Sequence, residues 1–177
     1  PTPMPARALG REAAALLGYV CVALVFAWPL PLRLADAMLG LPNGDAGVYV
    51  WNLWVFRHEI VANHRLPFLT SEILALSPPV PLALDNYTTF ANILAFPLIP
   101  LLGFLKTFNV LVLASGVMSG YAMYFYARVR TGDAAAAWVG GLLFGFSPFM
   151  SARAAALLMA GRAAIVPVVG VVEATRS

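Results

Sequence analysis

The chain has 177 residues, of which 61% are hydrophobic and 11% charged, and its mean hydropathy is +0.82. That is more apolar surface than a soluble domain buries in one core, which excludes an ordinary soluble enzyme and points to a membrane protein. The formal charge of +3 does not imply nucleic acid, because the eleven Lys and Arg stand singly or in pairs, mostly beside apolar runs, where they act as topology signals.

Residues 1–12 are proline-rich and carry Arg7 and Arg11 ahead of Ala13–Leu32, a stretch of 20 residues without a charge. As a helix it spans the ~30 Å of bilayer hydrocarbon, so 13–32 is the first expected transmembrane helix. A cleaved signal peptide is the rival, but the apolar run exceeds the usual ~7–15 residues and Trp28-Pro29-Leu30-Pro31 is a poor cleavage site. A retained anchor is the better fit. Arg7 and Arg11 then place the N-terminus in the cytoplasm and the next segment outside. Cys21 lies within this run and, as the single cysteine, forms no intrachain disulfide.

The segment 36–92 carries five acids (Asp36, Asp45, Glu59, Glu72, Asp85) against Arg57 and Arg65, a net charge of −3, and holds both histidines. It is the expected extracytoplasmic loop. Within it Asn43-Gly44-Asp45 precedes a helix expected over 46–62, for which Asp45 is a suitable cap. Asn52, Glu59 and Asn63 fall at i, i+7 and i+11 on one polar stripe, and the rest of the surface is aromatic and aliphatic. Such a helix lies in the membrane interface, with Tyr49, Trp51 and Trp54 at headgroup level. The stretch that follows, with Ser77-Pro78-Pro79-Val80-Pro81 and Asp85-Asn86-Tyr87, reads as a connection with little regular structure.

Tyr87–Leu105 is nearly long enough to span but contains Asn92, Pro97 and Pro100. If it crossed, Arg128 and Arg130 would fall outside; if 93–105 only dips into the membrane, they fall in the cytoplasm and the positive-inside rule holds. The second alternative is the expectation. Residues 107–127 are then the second span, with Gly116 and Gly120 at the spacing that lets another helix approach closely. Thr131-Gly132-Asp133 makes a cytoplasmic turn and 134–150, again glycine-rich, returns outward as the third span. Residues 154–172, split by Arg162, are either a fourth span or a tail. The expected fold is an all-α polytopic membrane protein with three to four transmembrane helices, plus interfacial helices in a long first extracytoplasmic loop. The sequence reads as a single membrane domain belonging to a longer protein.

A first span, an outer loop with Gly44-Asp45 ahead of an aromatic helix bearing Trp51 and Trp54, a proline-rich segment from Leu94 to Gly103, a span ending in Tyr124-Phe125-Tyr126-Ala127-Arg128-Val129-Arg130-Thr131-Gly132 and one ending in Phe144-Gly145-Phe146-Ser147-Pro148 follow in order. Together they resemble the N-terminal part of the GT-C glycosyltransferases, polytopic membrane enzymes that include protein O-mannosyltransferases and lipid A aminoarabinose transferases. The resemblance covers roughly residues 10–153. It implies transfer of a sugar from a polyprenyl-phosphate carrier to an acceptor outside the cytoplasmic (inner) membrane. An acid in the first outer loop serves as base, and Asp45 alone matches that position, with Ala46 where many members carry a second acid.

A carboxylate within ~3 Å of an acceptor hydroxyl takes its proton as the glycosidic bond forms and contributes ~10²–10⁴ in rate. Arg57, Arg65 and Arg153 are the outer cations available to a lipid phosphate. Trp51 and Trp54 are candidates to stack on sugar rings, and Asp85 and Glu59 to contact acceptor or metal. Each has a plainer role beside it: cap for Asp45, snorkelling for the arginines, an interfacial belt for the tryptophans, solvated loop acids for Asp85 and Glu59. His58-Glu59 suggests a metalloprotease helix, but His64 lies six residues from His58 rather than four, and no metal site or cofactor follows. Two other classes compete: a transporter or flippase, which requires intramembrane charges that these spans lack, and a non-catalytic membrane scaffold.

Overall fold

The computed structural model describes residues 6–38, 46–72, 79–82 and 87–147. Among them are α1 (Ala6–Phe26), a 3-10 turn (Leu30–Leu32), α2 (Ala46–Val61), strands β1 (Leu69–Thr70) and β2 (Val80–Pro81), α3 (Thr89–Ala95), α4 (Ile99–Leu102), α5 (Phe104–Thr131) and α6 (Ala134–Gly145). The protein is mainly helical, and the chain separates into two compact units, one built from residues 1–33 and 112–163 and the other from 34–111 and 164–177.

In the first unit α1 and α6 both pack against α5. Glu12 near the start of α1 pairs with Arg128 near the end of α5, and Tyr121 donates to the same carboxylate at 3.2 Å. Phe26 at the end of α1 meets Phe146 edge-to-face at 6.1 Å, so α1 and the second half of α5 run antiparallel. The α5–α6 seam is made of glycine. A Cβ at Gly145 would lie 2.7 Å from the Gly120 amide nitrogen and 2.9 Å from the Gly116 carbonyl, and one at Gly141 would overlap the Tyr19 hydroxyl and the Gly120 carbonyl. Gly116 and Gly120 therefore do what their spacing predicts, and the partner is the matching pair Gly141 and Gly145. Tyr19 closes the seam by stacking on Trp138 at 5.5 Å and donating to its carbonyl at 2.8 Å. Gly132, at φ 72°, turns the chain, and Asp133 caps α6 by accepting from the amides of Ala135 and Ala136.

The second unit holds α2, the β1–β2 ribbon, α3, α4 and the first residues of α5. Its ribbon pairs Leu69 with Pro81 and Thr70 with Val80, a short regular element in a stretch expected to have little. The proline-bearing run divides into α3 and α4, and Gly103, at φ 79°, separates α4 from α5. Asn109, fully buried, fixes the chain leaving the 3-10 turn by donating to the carbonyls of Leu34 at 3.0 Å and Ala37 at 2.8 Å.

Two expectations need correction. The run 13–32 is not one helix: α1 begins at Ala6, includes Arg11 and Glu12, and stops at Phe26, because Pro29 and Pro31 lack donors and the residue before each proline is pushed away from helical backbone. The count of three to four spans is not supported among the described residues, where only α5 is long and apolar enough to cross a membrane. The 12 residues of α6 rise about 18 Å, well short of ~30 Å of hydrocarbon. Residues 154–172 lie outside the described residues.

Candidate functional site

Helix α2 organises the second unit and starts one residue after Asp45. Its bounds match the expected 46–62 almost to the residue, because the stretch lacks proline and ends where Asn63 and His64 (φ 51°) leave helical backbone. Asp45, Asp85 and Arg153 lie outside the described residues. Trp51, Trp54 and Arg57 are half-buried along α2, and Arg65 is exposed beyond its end. Neither Arg57 nor Arg65 forms an ion pair with a carboxylate among the described residues, which leaves two cations near the foot of the helix for an anionic group. Trp54 has one ring face covered by His58 at 4.7 Å, and His58 Nε2 lies 3.7 Å from the Glu72 carboxylate. Trp51 stacks on no ring among the described residues and is half-buried like Trp54.

The polar stripe on α2 faces the opposite way from the expectation. Asn52 and Glu59, thought to sit on the wet side of an interfacial helix, are 0% and 1% exposed, and only Asn63 at the end of the stripe reaches solvent. The physical reason lies in α3. Phe56, between Asn52 and Glu59 on the same face, meets Phe96 edge-to-face at 6.1 Å and Tyr87 at 6.5 Å. That aromatic contact turns the stripe inward against another polar position, Asn92, which is 1% exposed.

The result is a buried polar cluster. The Glu59 carboxylate accepts from the Asn63 amide at 3.0 Å and has no ion-pair partner among the described residues. Both amide atoms of Asn92 and the hydroxyl of Tyr87 are buried without hydrogen bonds. Burial pushes the Tyr87 phenol up to about 12; the Asn92 amide beside it pulls the other way without meeting hydrogen-bond geometry, and the Glu59 charge adds to the rise. Thr107, 0% exposed, also leaves its hydroxyl unpaired.

The sequence carried a faint sign of this cluster, since Asn92 interrupts an otherwise apolar run. Nothing in the spacing told whether Glu59 faced water or protein. No group of three or more His, Cys, Asp or Glu gathers to hold a metal among the described residues. The chain matches no family model, no curated protein and no solved structure.

Proposed function

We propose that the chain corresponds to the N-terminal part of a polytopic GT-C-like membrane glycosyltransferase, moving a sugar from a polyprenyl-phosphate donor to an acceptor outside the cytoplasmic membrane with Asp45 as general base. The observation that carries this reading is the pairing of Glu12 with Arg128. It sets the start of α1 beside the end of α5, so Arg11, Arg128 and Arg130 gather at one end of the first unit, while Phe26, Gly116 and Phe146 share the other. With the basic end in the cytoplasm, the segment that joins Phe26 to Val112 is extracytoplasmic, as the order of parts in the sequence requires.

The chemistry asked of that segment is modest. Asp45, directly ahead of α2, removes the proton from the attacking hydroxyl, and a lipid-phosphate leaving group stabilises its own charge without a strong acid. Arg57 and Arg65, with no carboxylate partner among the described residues, hold the phosphate, and Trp51 offers a ring face to the sugar. Polytopic organisation on this reading draws on the residues beyond Ser147 as well as on α1, α5 and α6. The test is sugar transfer from a polyprenyl-phosphate donor by the full-length protein carrying Asp45→Asn. A loss of roughly 10²–10⁴ in turnover at unchanged expression is expected. Unchanged transfer would overturn the assignment of Asp45, and absence of transfer by the wild-type protein would favour a non-catalytic scaffold.

A further inference from the structure

Among the described residues of the second unit, the Glu59 carboxylate has no cation beside it. Glu59 is 1% exposed, and its one hydrogen bond among the described residues comes from a neutral amide, Asn63. A buried carboxylate in that state is expensive unless a positive group or a proton neutralises it. Two further oxygens without partners lie on the segment packed against that face of α2. The Asn92 carbonyl and the Tyr87 hydroxyl are buried without partners, and Phe56 ties both segments to the face of α2 that bears Glu59.

We propose that Glu59, Asn92 and Tyr87 form a binding site for a partly hydrated alkali-metal cation, which neutralises the Glu59 carboxylate and takes the Asn92 and Tyr87 oxygens as ligands. A proton on Glu59 would remove the charge and let the carboxyl donate to one neighbouring oxygen, whereas an ion takes the carboxylate and both neutral oxygens as ligands together. A water in the ion's shell accepts from the Asn92 amide nitrogen, the remaining orphan. A single buried carboxylate matches a single positive charge. A divalent ion would leave a net positive charge inside, and calcium sites draw on a larger oxygen shell, commonly with several carboxylates. The site ties α2 to α3 beside the Phe56–Phe96 contact. It does not depend on the sugar-transfer reading, since it rests on the buried oxygens alone.

The experiment is thermal unfolding of the purified full chain in detergent, in sodium, potassium or choline chloride at constant ionic strength, so that screening is the same in each. An alkali-metal ion is expected to raise the midpoint by roughly 3–6 °C over choline at about ten times its half-saturating concentration, and Glu59→Gln is expected to abolish the difference. Equal midpoints in all three salts, or a full response retained by Glu59→Gln, would overturn the proposal. So would a midpoint that follows pH but not ion identity, the mark of a protonated Glu59. Should Glu59→Gln fail to fold, Asn92→Ala takes its place: a half-saturating concentration raised about tenfold supports the site, and an unchanged one overturns it.

Discussion

Every polar side chain fully buried among the described residues, from Asn52 and Glu59 to Thr107 and Asn109, belongs to the unit formed by residues 34–111. The other unit buries tyrosine over glycine instead: Tyr19 and Tyr124 with Ala15, Ala23, Val117 and Ala137, and backbone against backbone where Gly145 meets Gly120. The first arrangement leaves hydrogen-bonding capacity unspent, which is the condition for chemistry or binding. The second pairs its polar groups with one another, as Glu12 with Arg128 and Tyr121, and otherwise relies on close packing. The two kinds of core fail for different reasons, and that difference can be measured.

The largest expected effect is steric and belongs to the glycine seam. Gly141→Leu would drive a side chain into the Tyr19 hydroxyl and the Gly120 carbonyl and is expected to cost roughly 3 kcal/mol or more of unfolding free energy in detergent. Gly47→Ala, where an added Cβ meets nothing within 4 Å and the residue lies inside α2, is expected to stabilise by about 0.5–1 kcal/mol. Equal responses at the two glycines would dissolve the contrast between a packed seam and an open helix surface.

Next in size is a polar loss in the second unit. Asn109→Ala strips donors from the buried turn at Leu34 and Ala37, with an expected cost of roughly 2 kcal/mol by denaturant or thermal unfolding. A cost within the noise of surface substitutions would mean that these carbonyls find water and that the interior is wetter than its burial implies.

The smallest effect is a pH slope. The Tyr87 phenol titrates near 12 in the folded chain against 10 in an exposed tyrosine, so the unfolded state gives up its proton first as the solution becomes alkaline. The contribution of Tyr87 is thus fully present below pH 10 and is lost as pH rises toward 12. In choline chloride, where no alkali-metal ion neutralises Glu59 or binds the phenol oxygen, Tyr87→Phe should flatten the alkaline fall in stability over that window. An unaltered slope would show that the hydroxyl is solvated.

Much of the first unit was legible in the sequence. Gly116 and Gly120 announced a close helix approach, and charge-free residues ending in Arg128 and Arg130 announced α5. These signals are local, and the geometry that uses them is nearly independent of the rest of the chain. The end of α1 at Phe26 is hidden in the sequence because the uncharged apolar run continues past Pro29 and Pro31 to Leu32.

In the second unit α2 was legible in extent but not in orientation. A stripe of Asn52, Glu59 and Asn63 has the same periodicity whether it faces water or a neighbouring polar helix. Only the long-range contact of Phe56 with Phe96 decides between them. Asn92 and Thr107 were similarly hidden, as polar residues inside apolar stretches that only the folded chain buries.

The account depends most on sidedness: the acid-bearing segment and the arginine-bearing end of α5 must face opposite sides of the membrane. With Cys21 replaced by serine, a single cysteine at Ala62 or at Thr131, both exposed, can be challenged with a membrane-impermeant maleimide in intact cells and after lysis. Labelling of Ala62→Cys in intact cells, with Thr131→Cys reacting only after lysis, is the predicted result. Equal labelling of the two before lysis, or the reverse order, would contradict it.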